Sequence, residues 1–302
     1  MSQSKINNAF FLIFGQGVNF LFTLFMLPFL VRQLPIETYA TYSQILLITS
    51  TLYPILSLGI GNGMVAFFNS NNKHNFNIVL NGILNVTFFS LFIYLVLFLS
   101  SGLIENQLKN NQLWDFLSFF FFSVCIQIFN DFLFNFMVFS EESKKASLLI
   151  IINNILRLSA IYLAIAFNLG LFYIFLFQLV ALFLSLFIYL VNIIKKTGLP
   201  SFERDKNLNI QLIKLSIPLS LTTIIGVLLI QTDGFVISNY LGKIDYAYYR
   251  TGAIEIPFLS SIYGSIALII LPEIKKHLLN LNFEKIIELK RKIILNTALI
   301  IY

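Results

Sequence analysis

Long apolar runs separated by short polar gaps dominate the chain. Eight of them, approximately 9–31, 41–66, 78–101, 114–138, 147–167, 172–194, 214–240 and 248–272, each hold about 20 residues or more. That is the length a helix needs to cross ~30 Å of hydrocarbon at about 1.5 Å per residue. A ninth run begins at Ile293 and reaches Tyr302. A span cannot stop inside the bilayer without leaving its last carbonyls unpaired, so a C-terminal truncation is expected. The pattern predicts an all-α fold, a polytopic membrane helical bundle of eight full spans and part of a ninth.

Composition supports lipid as the solvent. The chain is 58% hydrophobic and only 11% charged, with a mean hydropathy of +0.84, where a soluble chain carries roughly 25% charged residues. The single cysteine, Cys125, excludes a disulfide framework. The N-terminal MSQSK leads into a run too long for a signal peptide, with no small-residue cleavage site after it. It is read as a first span that stays.

The net charge of +6 changes meaning once its distribution is seen. Fifteen of the Lys and Arg residues fall in gaps on the side of the N-terminus, four on the other side, and Arg157 inside a span. Positive charge is retained on the cytoplasmic face, so the N-terminus is expected there and no nucleic-acid partner is expected. Trp114, Tyr39, Tyr42, Tyr246, Tyr248 and Tyr249 fall near the opposite interface, where amphipathic rings are expected.

The longer gap 195–213, with Gly198, Pro200 and mixed charge, divides the chain. Residues 1–194 form a six-helix lobe, 195–213 a cytoplasmic linker, and 214–302 the start of a second lobe. Within that second part, apolar positions alternate with basic ones over about 273–292, predicting an amphipathic helix on the membrane surface.

A short motif occurs twice. Leu34, Tyr39, Ala40 and Tyr42 recur 207 positions later as Leu241, Tyr246, Ala247 and Tyr249. Six spans separate the copies, so both halves enter the membrane in the same direction, the parallel repeat of two-bundle transporters.

Polar residues inside the spans need a reason, since a charge at the bilayer centre costs at least ~2.5 kcal/mol. Arg157 lies near the middle of the fifth run, with Asn153 and Asn154 three and four residues before it on the same face. The fourth run carries Gln127, Asn130, Asp131 and Asn135, the first Gln16, Asn19 and Thr23, and the seventh Ser220, Thr223, Gln231 and Asp233. Glu255 follows Arg250 near the eighth. These stripes predict helices that line a shared wet cavity. Two readings stand for Arg157: a structural ion pair with Asp131, or a guanidinium that holds phosphate oxygens in the cavity. Pro28, Pro54, Pro218, Pro257 and Pro272 interrupt or end spans, and Gly15, Gly17, Gly59, Gly61, Gly63 and Gly226 permit close helix approach or bending.

Enzyme chemistry has little to rest on. The histidines, His74 and His277, stand isolated in gaps, and no metal cluster, phosphate loop or nucleophile elbow occurs. No catalytic residue, cofactor or metal is expected.

Residues 215–274 carry Pro218-Leu219, Gln231-Thr232-Asp233, Val236-Ile237, Leu241-Gly242 with Tyr246, Pro257, and Leu271-Pro272-Glu273. Together with Pro28-Phe29-Leu30, Leu34-Pro35 and Tyr39, this resembles the Wzx-type polysaccharide-biosynthesis flippases of the multidrug/oligosaccharidyl-lipid/polysaccharide exporter superfamily. The resemblance implies two six-helix lobes around a central cavity. It also implies movement of undecaprenyl-pyrophosphate-linked sugar repeats to the outer leaflet of the cytoplasmic membrane. On that reading Arg157 engages the diphosphate or an acidic sugar, Asn130, Asn153, Asn154 and Gln231 bond sugar hydroxyls, and Asp131 or Asp233 sets charge and couples to an ion. Arg250, Glu255, Pro218 and Pro257 are gating or coupling candidates. The implied partners are the lipid-linked oligosaccharide, membrane lipids and the polysaccharide polymerase machinery. A cation-coupled drug exporter of the same superfamily is the alternative within transport. A membrane enzyme of glycan assembly is the alternative outside it, and the short outer gaps disfavour that one.

Overall fold

The computed structural model describes residues 3–69, 71–198, 206–253, 274, 277–278 and 283–291. Ten helices precede residue 254: α1 (Gln3–Gln33), α2 (Ile36–Ser57), α3 (Ile60–Phe67), α4 (Asn72–Leu99), α5 (Ser101–Leu108), α6 (Leu113–Phe139), α7 (Ser143–Ala166), α8 (Leu171–Thr197), α9 (Lys206–Tyr240) and α10 (Lys243–Gly252). Among the described residues seven spans are long and apolar enough to cross a membrane, α2 and α3 together forming the second. The protein is an all-α, polytopic membrane bundle. The eighth expected run enters the described residues only through α10. Its remainder, with Glu255, Pro257 and Pro272, and the ninth run lie outside them, and of the surface helix at 273–292 residues 283–291 are helical.

Three departures from the sequence reading have local causes. The second span breaks at Leu58 and Gly59, whose φ values are 50° and 64°. A Cβ on Gly59 would lie 2.7 Å from the Ser216 carbonyl oxygen, so glycine serves both the left-handed backbone and the close approach of α9. The gap expected between the third and fourth runs holds α5, a short helix over Ser101–Leu108 that the hydropathy pattern did not predict. The expected gap 195–213 narrows at both ends, because α8 runs on to Thr197 and α9 starts at Lys206, where Asn209 and Leu212 already find burial.

Packing builds the first six spans into one body. α7 lies between α1 and α8, and α6 packs on α2, α4 and α8. Gly15 lets α7 approach α1, its Cβ position only 3.0 Å from Ser147 Cβ, and the Ser147 hydroxyl donates to the Phe11 carbonyl at 2.7 Å. Small residues at such crossings replace the hydrophobic drive that lipid removes. At the start of α4 the Asn71 side chain accepts from the amides of Lys73 and His74, capping the helix.

The remaining helices dock on α2 and α3. α9 runs along both, and α10 packs on α2 and α9. The helix ends repeat with the motif spacing: α1 ends at Gln33 and α9 at Tyr240, α2 begins at Ile36 and α10 at Lys243, each pair 207 positions apart. The two motif copies also meet. Tyr39 and Tyr246, each 1% exposed, occupy the seam between α2 and α10. Their placement corrects the expectation that these tyrosines and Tyr42 belong to an interfacial belt: burial between helices overrides the interfacial preference of the ring.

Candidate functional site

Asp131 faces inward from α6 toward α2. The Tyr53 hydroxyl donates to its Oδ2 at 2.5 Å, and Gln127 Nε2, one turn earlier on α6, donates to Oδ1 at 3.1 Å. Both carboxylate oxygens are thereby engaged by neutral donors. Arg157 of α7 lies within electrostatic range of Asp131, yet the two form no ion pair, in contrast to Glu142, which pairs with Lys145 and Lys196. The structural ion pair between Arg157 and Asp131 is therefore not formed. Tyr53 is the partner that hydropathy could not identify, because a tyrosine within an apolar run carries no polar signal.

Tyr42 connects this group to the second. Its ring stacks on Phe175 of α8 with centroids 5.6 Å apart and planes 6° from parallel. Its hydroxyl lies beside Gln178 and within electrostatic range of both Arg157 and Arg250. Arg250 Nη1 donates to the Tyr246 hydroxyl at 3.4 Å, while its Nε is buried without a hydrogen-bond partner among the described residues. Burial raises the Tyr246 hydroxyl above its ordinary pKa, and the Arg250 guanidinium pulls against that rise. Tyr246 in turn senses Asp233, which accepts from the Tyr249 hydroxyl. The four charged groups thus follow one track through the bundle, with two neutral tyrosines between them: Asp131, Arg157, Tyr42, Arg250, Tyr246 and Asp233.

The other predicted residues have distinct places. Asn130 is buried between α6 and α8, donating to the Leu182 carbonyl at 3.3 Å with its Oδ1 unpartnered. Asn154 is buried on α7, and Asn153 is half-buried with its Oδ1 unpartnered. Gln231 is half-buried on α9. Pro218 interrupts the α9 ladder between Ser216 and Ser220, the two residues that meet Gly59, with Ser216 also meeting Gly63.

At the end of the bundle opposite the N-terminus a polar latch joins α2 to α9. Gln44 Nε2 donates to the Leu108 carbonyl at 2.8 Å and the Ser238 hydroxyl at 2.7 Å. Asn110 Nδ2 donates to Gln44 Oε1 at 2.7 Å and Thr41 Oγ1 at 3.2 Å, and Lys109 Nζ reaches the Tyr240 carbonyl at 2.8 Å. Gln44 is fully buried; the sequence reading does not single it out, although a glutamine inside the apolar run 41–66 is the signal that could have found it.

The family described as "Polysaccharide biosynthesis protein" matches residues 6–276, nine-tenths of the chain. The chain belongs to that family, that of the Wzx-type polysaccharide biosynthesis flippases. Its members are typically transporters or flippases rather than enzymes, and a multi-pass membrane protein with an exporter role in polysaccharide synthesis is the reading that membership supports. No curated protein matches the sequence.

Proposed function

We propose that the chain moves undecaprenyl-pyrophosphate-linked oligosaccharide repeat units across the cytoplasmic membrane, inner to outer leaflet, for O-antigen, capsule or another surface polysaccharide. The N-terminus faces the cytoplasm, on the weight of fifteen basic residues against four. The observation that carries the proposal is the pair of arginines around Tyr42. Neither Arg157 nor Arg250 forms an ion pair among the described residues, so two guanidiniums stand available to an anion inside an apolar bundle. A diphosphate offers them several oxygens in the planar, bidentate geometry a guanidinium favours.

The remaining polar groups suit the sugar. Asn153 with its unpartnered oxygen, Asn154 and Gln231 extend hydrogen-bonding capacity away from the charged track. Asn130 bonds between helices and orders α8 against α6. The polyprenyl tail need not leave hydrocarbon, so the protein has only the head to shield. A cation-coupled drug exporter needs an available carboxylate, and both oxygens of Asp131 are engaged by Tyr53 and Gln127. Pro218 and Arg250 sit where α9 and α10 meet α2 and α3, the contacts that have to change when the two parts of the bundle rearrange.

The test is complementation. In cells whose own flippase for a surface polysaccharide is deleted, the chain restores the polymer at the surface. Arg157→Ala, present in the membrane at the wild-type level, does not. Full restoration by Arg157→Ala would remove that residue from the site.

A further inference from the structure

α1 and α7 leave a groove of about 520 Å³ between them, toward the end of α1 farthest from the N-terminus. Phe25, Pro28 and Phe29 of α1 and Leu158 and Tyr162 of α7 line it, and Arg32 closes one end. Phe29 and Tyr162 approach with ring centroids 6.3 Å apart. The groove has a local origin in Pro28, which cannot donate to the carbonyl one turn before it and so interrupts the α1 ladder beside the opening.

Position along the span sets the depth of each wall. The first span runs Phe10–Gln33, so Arg32 lies one residue from its end, at the level of lipid headgroups, while Phe25 lies two turns deeper in hydrocarbon. Arg32 is exposed, and among the described residues it forms neither a hydrogen bond nor an ion pair. An apolar groove that opens on hydrocarbon fills with it, because an empty one forfeits dispersion contacts along its walls. The cation at the headgroup end then selects which hydrocarbon chain stays.

From this geometry we infer that the α1–α7 groove binds one anionic phospholipid of the surrounding bilayer, its acyl chain between Phe25, Phe29, Leu158 and Tyr162 and its phosphate on Arg32. A single guanidinium at the rim matches the single charge of a phosphodiester. The more highly charged diphosphate of a carrier lipid calls for the two-arginine site around Tyr42 instead. The bound lipid occupies the leaflet opposite the N-terminus and wedges α1 against α7. This inference does not depend on the transported substrate.

The experiment is native mass spectrometry of the full chain released from nanodiscs containing equal mole fractions of phosphatidylglycerol and phosphatidylethanolamine. Wild type is expected to retain one phosphatidylglycerol with a several-fold preference, because both lipids carry the phosphate but the ammonium of phosphatidylethanolamine competes with Arg32 for it. Arg32→Gln is expected to bring the two lipids to near parity. Leu158→Trp, which fills the groove, is expected to lose the retained lipid of either kind while its thermal melt shows a folded bundle. An unchanged preference in Arg32→Gln overturns the inference, as does full retention by a folded Leu158→Trp. If Leu158→Trp does not fold, the Arg32→Gln comparison decides alone. Undecaprenyl phosphate supplied at the same mole fraction distinguishes the carrier: if it displaces phosphatidylglycerol in wild type but not in Arg32→Gln, the groove is a carrier seat and the phospholipid assignment is overturned.

Discussion

The Thr251 hydroxyl donates to the Tyr39 hydroxyl at 3.3 Å, a bond across 212 positions that ties the two copies of the repeated motif together. Tyr39 begins the buried stretch of α2, and Thr251 lies one turn beyond Ala247 in α10, to whose carbonyl it also bonds at 2.8 Å. The repeat is thus a contact as well as a duplication. Removing the hydroxyl in Tyr39→Phe leaves Thr251 with its local partner only. A loss of about 0.5–1.5 kcal/mol is expected, the net worth of one neutral hydrogen bond, read from denaturant or thermal unfolding in detergent.

The Tyr53–Asp131 bond carries more weight because its acceptor sits in a span. Tyr53→Phe removes one of two donors to that carboxylate and is expected to cost about 1–3 kcal/mol. A double-mutant cycle with Asp131→Asn is expected to return a coupling of about 0.5–3 kcal/mol, the range for residues in direct contact. Additive single effects would dissolve the pair.

The α3–α9 crossing is steric. A Cβ on Gly63 meets the Ser216 Oγ closer than real side chains approach. Gly63→Ala is therefore expected to destabilise the bundle by about 1–3 kcal/mol through overpacking. Adding Ser216→Gly removes the obstacle and is expected to restore the melting temperature of the Gly63→Ala variant, measured on the same preparation.

At the far end, Gln44 holds three partners at once: the Leu108 carbonyl, the Ser238 hydroxyl and Asn110. Gln44→Leu keeps the volume and removes every bond. It is expected to speed amide exchange at residues 109–112 and near Ser238, while exchange around Asp131 stays unchanged. Uniform exchange across the bundle would show that the latch is not a local device.

The sequence foretold most of the architecture because lipid imposes a one-dimensional rule. A helix such as Leu171–Thr197 is legible from its length and apolarity alone. The break at Leu58–Gly59 was legible only as a glycine that permits bending or close approach, since the residue it approaches, Ser216 of α9, lies 157 positions away in the chain. The candidate site was legible in part. Arg157 and Asp131 stand out as charges in apolar runs, and the structure brings them near each other. Of the two readings left open for Arg157, the ion pair is not formed: Tyr53 and Gln127 engage the carboxylate, and tyrosine contributes no warning to a hydropathy count. Gln231 and Asp233 lie on α9, the seventh run, where the sequence placed them. Among the described residues, the track through Tyr42, Arg250 and Tyr246 links Asp233 to Arg157.

The central claim is translocation that depends on the two arginines around Tyr42. The direct measurement is a proteoliposome assay in which a lipid-linked oligosaccharide starts in the inner leaflet and its arrival outside is read by an added glycosidase. Wild type is predicted to expose the sugar well above protein-free liposomes. Arg157→Ala and Arg250→Ala are predicted to lose roughly ten- to hundredfold in rate, as expected for one charged hydrogen bond of about 1.5–3 kcal/mol, with Arg157→Lys intermediate. Exposure no faster than in protein-free liposomes, or equal rates in wild type and both alanine variants, would contradict the account.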